Sequence, residues 1–411
     1  MKLEYFIAKR LIKAKSNKSN VSTPIIKIAI SAIIISMVMM IVSVATGIGL
    51  QEKIREKIGA FYGHVIISNF DNNNSEVSVS PILISDDFTS FINKLHGVKH
   101  IQAVATIGGI IRTENDFEGI ILKGVDKNFY WNQISEYIID GQMPDFSGEV
   151  SNDIAISEFL ANRLNLKVGD AFNSFFLREN TEKAPFSRRF KIVGIYNSGL
   201  TDYDSSYIIG DIRHVQRFYK WKDNQVGNLE VFVTNFDDIA TVGETIYSEI
   251  PSTYNSYTIE QKFPNIFEWL KLLDYNIIGI IFFMILISAI NMIVALLVLI
   301  LERTQMIGIL KALGASNWTI RKIFLYNAGY LILYGLTIGN IIGITIIYIQ
   351  KYAKVVTLNP ENYYVKYAPV HIDWLQILGL NVGTVLICLV VLLIPSYLIT
   401  KIAPSKAIRF Q

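Results

Sequence analysis

Four long stretches of this chain contain no Asp, Glu, Lys or Arg, and they constrain its fold more than any other feature. The stretches are residues 28–50, 275–301, 323–350 and 374–400. A helix needs roughly 20 such residues to cross the ~30 Å hydrocarbon core of a bilayer, whereas an apolar run of about 10–14 is typical of a buried helix in a soluble protein. The first stretch also exceeds the ~7–15-residue core of a cleaved signal peptide. The pattern therefore predicts four membrane-spanning helices, the first continuing as a helix beyond Leu50.

The distribution of positive charge predicts the orientation of these helices. Segment 1–27 has seven Lys and Arg against one acid, loop 302–322 has four against one, and tail 401–411 has three and no acid. Short loops rich in Lys and Arg remain in the cytoplasm. We therefore expect a multi-pass protein of the bacterial inner membrane with both termini and the 302–322 loop in the cytoplasm.

The segment between the first two stretches has the opposite charge and a different pattern. Residues 49–275 contain 21 Lys and Arg and 31 Asp and Glu, a balance of 21 − 31 = −10. Short runs rich in β-branched residues alternate with helical patterns, which indicates a mixed fold. Six runs are predicted strands: 65–68, 101–107, 119–123, 191–196, 207–209 and 229–234. Three are predicted helices: 86–95, 156–164 and 237–249. We expect residues 51–274 to form a periplasmic α+β domain with a stalk, and residues 351–373 to form a second periplasmic loop.

Several classes of site are disfavoured by composition. Cys388 is the only cysteine, so no intramolecular disulfide is possible, and the five histidines lack metal-ligand spacing. The basic residues lie beside the membrane, which argues against nucleic-acid binding. A phosphate-binding loop needs a Gly-Lys dipeptide, and this sequence has none. We expect no metal, no catalytic residues and no ATPase activity in this chain.

The loop from Arg178 to Arg189 links two β-like runs, 171–177 and 190–196, and it is long for such a connection, since about 2–5 residues are usual. One interpretation is a solvated, mobile loop. The other is a protruding contact for a soluble partner, in which Pro185 stiffens the loop and Phe186, Arg188 and Arg189 make the contact.

The apolar stretches themselves suggest packing and cargo rather than ion transport. Gly335, Gly339 and Gly343 recur every four residues, which predicts a face where another helix approaches closely. The stretches contain no acid or base for a proton relay. Four deformable side chains in the first two stretches would suit a cavity for acyl chains: Met37, Met40, Ile281 and Met284. Ordinary lipid-facing positions explain these side chains equally well.

The short loop after the second stretch contains a helical pattern. Met306, Ile309, Leu310 and Leu313 fit one apolar face, and Gly314 is placed to end the helix. Such a helix either lies along the membrane surface or inserts into a groove of a cytoplasmic partner.

On these residues the chain resembles the permease family that includes the lipoprotein-releasing permeases LolC and LolE, the division protein FtsX and the exporter MacB. Residues 302–304 with 307–315 resemble the cytoplasmic coupling helix of that family, which docks on a separate ATPase. Three further stretches resemble the lipoprotein-releasing branch: the exit of the first span at 49–65, the loop 358–374, and the loop 184–190, which is similar to the carrier-binding hook of LolC.

The resemblance implies a non-catalytic permease subunit of a complex that extracts lipoproteins and passes them to a periplasmic carrier. The implied partners are a cytoplasmic ATPase that holds ATP and magnesium, a second permease copy or paralogue, the carrier, the lipoprotein substrate and membrane lipid. The implied ATPase-coupling residues are Glu302, Arg303, Met306, Ile307, Gly308, Leu310, Lys311, Leu313 and Gly314. Two alternatives remain: an FtsX-like signalling subunit that controls a cell-wall hydrolase, and an efflux permease for peptides or small molecules.

Overall fold

The computed structural model describes residues 3–13, 22–72, 75–113, 116–176 and 185–402. The helices are α1 (Leu3–Lys13), α2 (Ser22–Tyr62), α3 (Asp86–Lys94), α4 (Trp131–Ile134), α5 (Glu158–Arg163), α6 (Thr201–Ser206), α7 (Ile212–Tyr219), α8 (Ile239–Glu249), α9 (Ile259–Lys262), α10 (Pro264–Glu302), α11 (Thr304–Ala312), α12 (Asn317–Ala353), α13 (Pro360–Tyr363), α14 (Trp374–Ser396) and α15 (Leu398–Lys401). The strands are β1 (Val65–Asn69), β2 (Ile82–Leu83), β3 (Val98–Arg112), β4 (Phe117–Val125), β5 (Ile138–Gly141), β6 (Asp153–Ser157), β7 (Ala171–Phe176), β8 (Phe186–Tyr196), β9 (Tyr207–Asp211), β10 (Gln225–Val226), β11 (Asn228–Val233) and β12 (Tyr254–Thr258).

Among the described residues, four helices are long and apolar enough to cross a membrane. They follow the four predicted stretches: α2 has 41 residues, α10 39 and α12 37, each longer than its stretch, whereas α14 has 23 and is followed directly by α15. The continuation of the first helix through Tyr62 agrees with the prediction that it extends beyond Leu50. A large α/β domain follows α2, so the predicted fold class is confirmed.

The spanning helices belong to one structural unit, drawn from residues 1–51, 269–357 and 367–411. The glycine face of α12 packs against α2 there. A Cβ added at Gly335 would lie 2.9 Å from Ile33 Cγ2, and one at Gly339 would lie 2.8 Å from Met37 Cβ. Farther along, a Cβ at Gly343 would lie 3.2 Å from a side-chain carbon of Ile41. Close approach of backbones is what small residues provide in membrane helices.

This packing corrects the prediction that Met37 and Met40 line a cavity. Both are fully buried among the helices, and Met37 packs where Gly339 of α12 has no side chain. Ile281 and Met284 of α10 are partly buried against the same apolar core. Met37 and Met40 therefore contribute to packing within the chain, whereas the cavity role of Ile281 and Met284 stays a prediction.

The inserted domain is a second unit, made of residues 52–268 and 358–366. Its main sheet has ten strands in the order β12-β1-β11-β3-β4-β9-β6-β8-β5, with β7 paired to both β3 and β8. The β4–β9 and β6–β8 pairs are parallel, and the others are antiparallel. A separate two-stranded ladder joins β10 and β2. Each of the six predicted strand runs overlaps a strand of the main sheet.

A buried ion pair lies in the core of the inserted domain. Lys123 Nζ donates to Glu230 Oε1 at 2.6 Å and to the carbonyl of Phe61, in the last turn of α2, also at 2.6 Å. Gln102 Nε2 donates to the second Glu230 oxygen at 2.6 Å. Burial lowers the pKa of the Lys123 ammonium, and the Glu230 carboxylate opposes that shift. Because every charged atom here has a partner, the pair fastens the end of α2 to the sheet.

Candidate functional site

The short helix α11 is the first candidate site, and the local sequence explains where it begins and ends. Thr304 Oγ1 donates back to the carbonyl of Leu301 at 2.6 Å, at the junction with α10. At the other end, Gly314 N donates to Lys311 O and Ala315 N to Leu310 O, both at 3.0 Å. Gly314 has φ +88°, the left-handed conformation that glycine adopts without strain, and this pair of bonds is a Schellman motif. The prediction that Gly314 ends the helix is confirmed.

The inner face of α11 differs from the predicted one. Ile307 is fully buried and Gly308 is buried, while Met306 and Leu310 are partly buried against the apolar core. In a helix of 3.6 residues per turn, Ile309 lies about half a turn and the later Leu313 about a third of a turn away from Ile307. The predicted positions Met306, Ile309, Leu310 and Leu313 do share one side of the helix, within about 100°. Only Met306 and Leu310 meet the core there, whereas Ile309 and Leu313 are exposed.

The outer face of α11 is apolar and uncovered in this chain. Ile309 is 48% exposed and Leu313 is 79% exposed. Glu302, at the end of α10, and Gln305 of α11 are also exposed. Trp318, in the first turn of α12, is also 51% exposed. An exposed apolar face beside a polar rim is typical of a surface that binds another protein.

Lys311 is held within the chain. Its ammonium donates to the carbonyls of Ile399 and Ile402 at 2.7 Å and to that of Thr400 at 3.3 Å. These carbonyls lie at the C-terminal end of α15, where a cation is favourable. Lys311 was predicted as a contact for the ATPase, but its geometry ties α11 to the end of the last helices. Arg303, predicted for the same contact, lies at the start of α11 and is half-buried.

The β7–β8 hairpin carries the residues predicted to contact a soluble partner. Because β8 begins at Phe186, the residues Phe186, Arg188 and Arg189 belong to a strand paired with β7, and the prediction that they lie in a loop is wrong. Aromatic residues favour strands, and Phe186 extends the ladder opposite Phe176. Pro185 is exposed just before the strand, and positions 178–184 of the predicted loop lie outside the described residues.

Successive residues of β8 point to opposite faces of the sheet, which separates the predicted contact residues. Phe186 packs against Phe218 with ring centroids 5.7 Å apart, and the Arg188 guanidinium lies 4.8 Å from the Phe186 ring. Arg189 is exposed on the other face. Only Arg189 and Pro185 are therefore presented outward.

Arg189 has a basic neighbour that was not predicted from the sequence. Arg189 pairs with Asn173 of β7, and Asn173 in turn pairs with Arg112 of β3. All three side chains are exposed. On the next outward row, Ile110 of β3 pairs with Phe175 of β7. Strand pairing thus brings two arginines and an apolar row onto one outward surface, and the sequence separation of the strands hides that arrangement.

No group of three or more metal-ligating side chains was found in the described parts of the chain. Asn340 of α12 and Asn381 of α14 exchange amide hydrogen bonds at 2.7 and 3.0 Å, and Asn291 donates to the carbonyl of Ile287 in its own helix. These amides serve helix packing.

Comparison with known proteins identifies the family. Residues 28–247 match the MacB-like periplasmic core domain, and residues 278–404 match the FtsX-like permease C-terminal domain. The chain belongs to the FtsX/MacB-type family of ABC transporter permeases. Together the two matches cover most of the inserted domain and parts of all four long helices.

Relatives align over the whole chain at low identity. An uncharacterized membrane protein of Buchnera aphidicola subsp. Schizaphis graminum is 24% identical over 99% of both chains. The lipoprotein-releasing system transmembrane protein LolC of Neisseria meningitidis serogroup B is 21% identical over 100% of this chain and 99% of its own. Among solved structures, the periplasmic region of MacB from Actinobacillus actinomycetemcomitans is 13% identical, with a TM-score of 0.35 over 50% of this chain and 92% of that chain.

Proposed function

We propose that this permease extracts lipoproteins from the bacterial inner membrane and passes them to a periplasmic carrier. It works in a complex with a cytoplasmic ATPase, which holds ATP and magnesium, and with a second permease copy or paralogue. Both termini and α11 lie in the cytoplasm, and the inserted domain lies in the periplasm.

The similarity to LolC over the full length of both chains carries this proposal. A LolE protein of Haemophilus influenzae aligns over 99% of both chains as well, at 19% identity. The charge pattern supports the orientation, since segment 1–27 and the 302–322 loop are basic and the inserted segment is acidic.

The geometry of α11 supports its role in coupling. Ile309 and Leu313 offer an apolar surface that a groove of the ATPase would cover. Ile307 on the opposite side is embedded in the helix core, and Lys311 is bonded to the end of α15. A displacement of α11 by the ATPase would therefore move the spanning helices rather than a mobile loop.

The outward surface of the β7–β8 hairpin supports carrier binding through fewer residues than the sequence suggests. Arg189 and Arg112 present two positive charges beside the apolar pair Ile110 and Phe175. Such a surface fits a carrier with acidic and apolar groups at its contact. Phe186 and Arg188 position the strand from its other face.

The spanning helices suit a lipidated cargo and a partner permease. Side chains of α10 that recur every four residues are exposed along one side: Ile278, Phe282, Leu286, Ile290 and Val294. In the assembled complex this side is available to acyl chains or to the helices of the second permease.

Release of radiolabelled lipoprotein from reconstituted vesicles tests the proposal. With the ATPase, carrier and ATP present, the wild-type chain releases lipoprotein, and omission of ATP abolishes release. Leu313→Asp places a charge on the exposed face of α11 without disturbing the core, so ATP-dependent release falls at least tenfold. Val355→Asp is the matched control, because Val355 is 66% exposed just beyond the other end of α12. Activation of a cell-wall hydrolase without release, or export of peptides alone, would refute the proposal.

Carrier binding is tested separately by crosslinking or pull-down of the carrier on the full chain. Arg189→Glu weakens carrier capture, whereas Phe186→Leu, which keeps the buried apolar contact, has little effect. Lys222→Glu reverses an exposed charge elsewhere in the inserted domain and serves as the control. Equal capture by the wild-type and Arg189→Glu chains would remove the hairpin from the carrier-binding surface.

A further inference from the structure

An apolar groove lies between α1, α12 and α14. Its volume is about 770 Å³, within the roughly 300–1,000 Å³ typical of ligand sites. Tyr5 of α1 closes one side, Tyr326 and Tyr330 of α12 form the floor, and Leu389 and Leu393 of α14 close the other side. The rings of Tyr5 and Tyr326 contact edge to face, with centroids 6.3 Å apart.

The groove has the length of one bilayer leaflet. Its lining on α12 runs from Trp318 to Leu333, and 15 residues of helix extend about 22 Å. One leaflet contributes about 15 Å of the ~30 Å hydrocarbon core, and its headgroup region adds several ångströms, which together are close to the length of the groove. Trp318, at the start of α12, marks the interfacial end, where tryptophan is enriched in membrane proteins. The groove therefore begins at the membrane surface and ends near the bilayer midplane.

Among the described side chains near Trp318, two cations and one carboxylate leave a surplus of one positive charge. Lys322 lines the groove, and its Nζ lies 3.7 Å from a Glu4 oxygen and 5.8 Å from the Trp318 ring. The Arg321 guanidinium lies 5.3 Å from the same ring and donates to two neutral acceptors, Ser396 Oγ and the carbonyl of Leu393. Two cations against one carboxylate give 2 − 1 = +1.

We propose that this groove binds one anionic glycerophospholipid. An acyl chain lies along Tyr330 and Leu389, and the phosphate lies beside Lys322 and Arg321. A phosphodiester carries one negative charge, which matches the surplus at the mouth, and the apolar walls match the chain. Because the lipid contacts α1, α12 and α14 together, it stabilises the docking of the N-terminal helix on the spanning helices.

Glycine 329 offers a way to fill the groove without disturbing the helix core. A Cβ added at Gly329 would meet only Leu389, at the ordinary contact distance of 3.9 Å, so a larger side chain extends into the groove. Leucine is also a better helix former than glycine. Gly379 on α14 is the matched control, since no atom lies within 4 Å of a Cβ added there.

Native mass spectrometry of the full chain, purified from detergent with equal phosphatidylglycerol and phosphatidylcholine, tests the proposal. The wild-type chain and Gly379→Leu retain one phosphatidylglycerol, and Gly329→Leu retains at least tenfold less. Lys322→Gln loses the preference for phosphatidylglycerol while the groove stays open. Thermal unfolding establishes that each variant is folded.

Three outcomes would overturn the proposal. Equal retention by Gly329→Leu and Gly379→Leu would show that the lipid binds elsewhere. Equal retention of the two lipids by the wild-type chain would show a groove that does not select for a net negative charge. Stabilisation by inorganic phosphate as strong as that by phosphatidylglycerol would show an anion site that needs no acyl chain. None of these readouts depends on lipoprotein transport.

Discussion

The contact between Lys311 and the end of α15 yields the sharpest prediction for coupling. Replacing Lys311 with Met keeps the apolar stem and removes the ammonium. The carbonyls of Ile399 and Ile402, now 2.7 Å from Nζ, then lose their charged donor, as does that of Thr400 at 3.3 Å. The substitution therefore disconnects α11 from α15 while leaving the outer surface of α11 unchanged.

The magnitude follows from the number and exposure of these bonds. A hydrogen bond from a charged donor contributes about 1.5–3 kcal/mol, and a cation at a helix C-terminus adds about 0.3–1 kcal/mol. The two short bonds would give about 3–6 kcal/mol if they were fully buried. Lys311 is only partly buried, so water replaces part of the interaction, and we expect a net loss of about 2 kcal/mol.

Two measurements on the same preparation check this prediction. In detergent, Lys311→Met lowers the unfolding temperature by on the order of 5 °C. In reconstituted complexes it keeps ATPase binding, since Ile309 and Leu313 remain exposed, but releases less lipoprotein per ATP hydrolysed. Lys311→Arg keeps the charge and retains most of both properties. If Lys311→Met kept both the wild-type unfolding temperature and the wild-type yield per ATP, the contact would have no part in stability or coupling.

Three further substitutions test the fold. Lys123→Met leaves the Glu230 carboxylate buried without its cation, so the free energy of unfolding falls by about 3–5 kcal/mol in denaturant titration of the full chain; a loss below 1 kcal/mol would contradict the buried pair. Burial lowers the pKa of His64 from 6.5 to about 4, so only the unfolded chain gains this proton between those values. The stabilising contribution of the neutral His64 is fully present above pH 6.5, and the free energy of unfolding falls by about 2 kcal/mol between pH 7 and pH 5. His64→Gln makes this fall with pH smaller; an unchanged fall would show that His64 does not cause it. Gly339→Ala overpacks the contact between α2 and α12 and destabilises by about 1–3 kcal/mol, whereas Gly379→Ala has room and does not; equal melting temperatures for the two variants would refute the close approach.

Elements with a strong local pattern could be predicted from the sequence. The four spanning helices follow from uncharged runs longer than 20 residues, and the end of α11 follows from Gly314. The α12 glycines likewise identify a packing face before its partner helix is known.

Features that depend on contacts between distant segments could not be predicted. The pairing of β7 with β3 places Arg112 beside Asn173 and Arg189, and no local pattern encodes it. The sequence did not separate the buried from the exposed apolar residues of α11, because Leu310 and Leu313 are both apolar although only the former meets the core. For the buried pair, Glu230 gives one signal, since it is the only charged residue in β11. Its partner is identified only by the fold.

The packing of α12 on α2 has a consequence for biosynthesis. Gly335 meets Ile33, and these residues are 335 − 33 = 302 positions apart. At about 5–20 residues per second, a ribosome needs roughly 15–60 s to make the intervening chain. During that time α2 lies in the membrane while the face that contains Ile33 and Met37 has no contact with α12. The insertion machinery or lipid must cover that face until α12 is inserted.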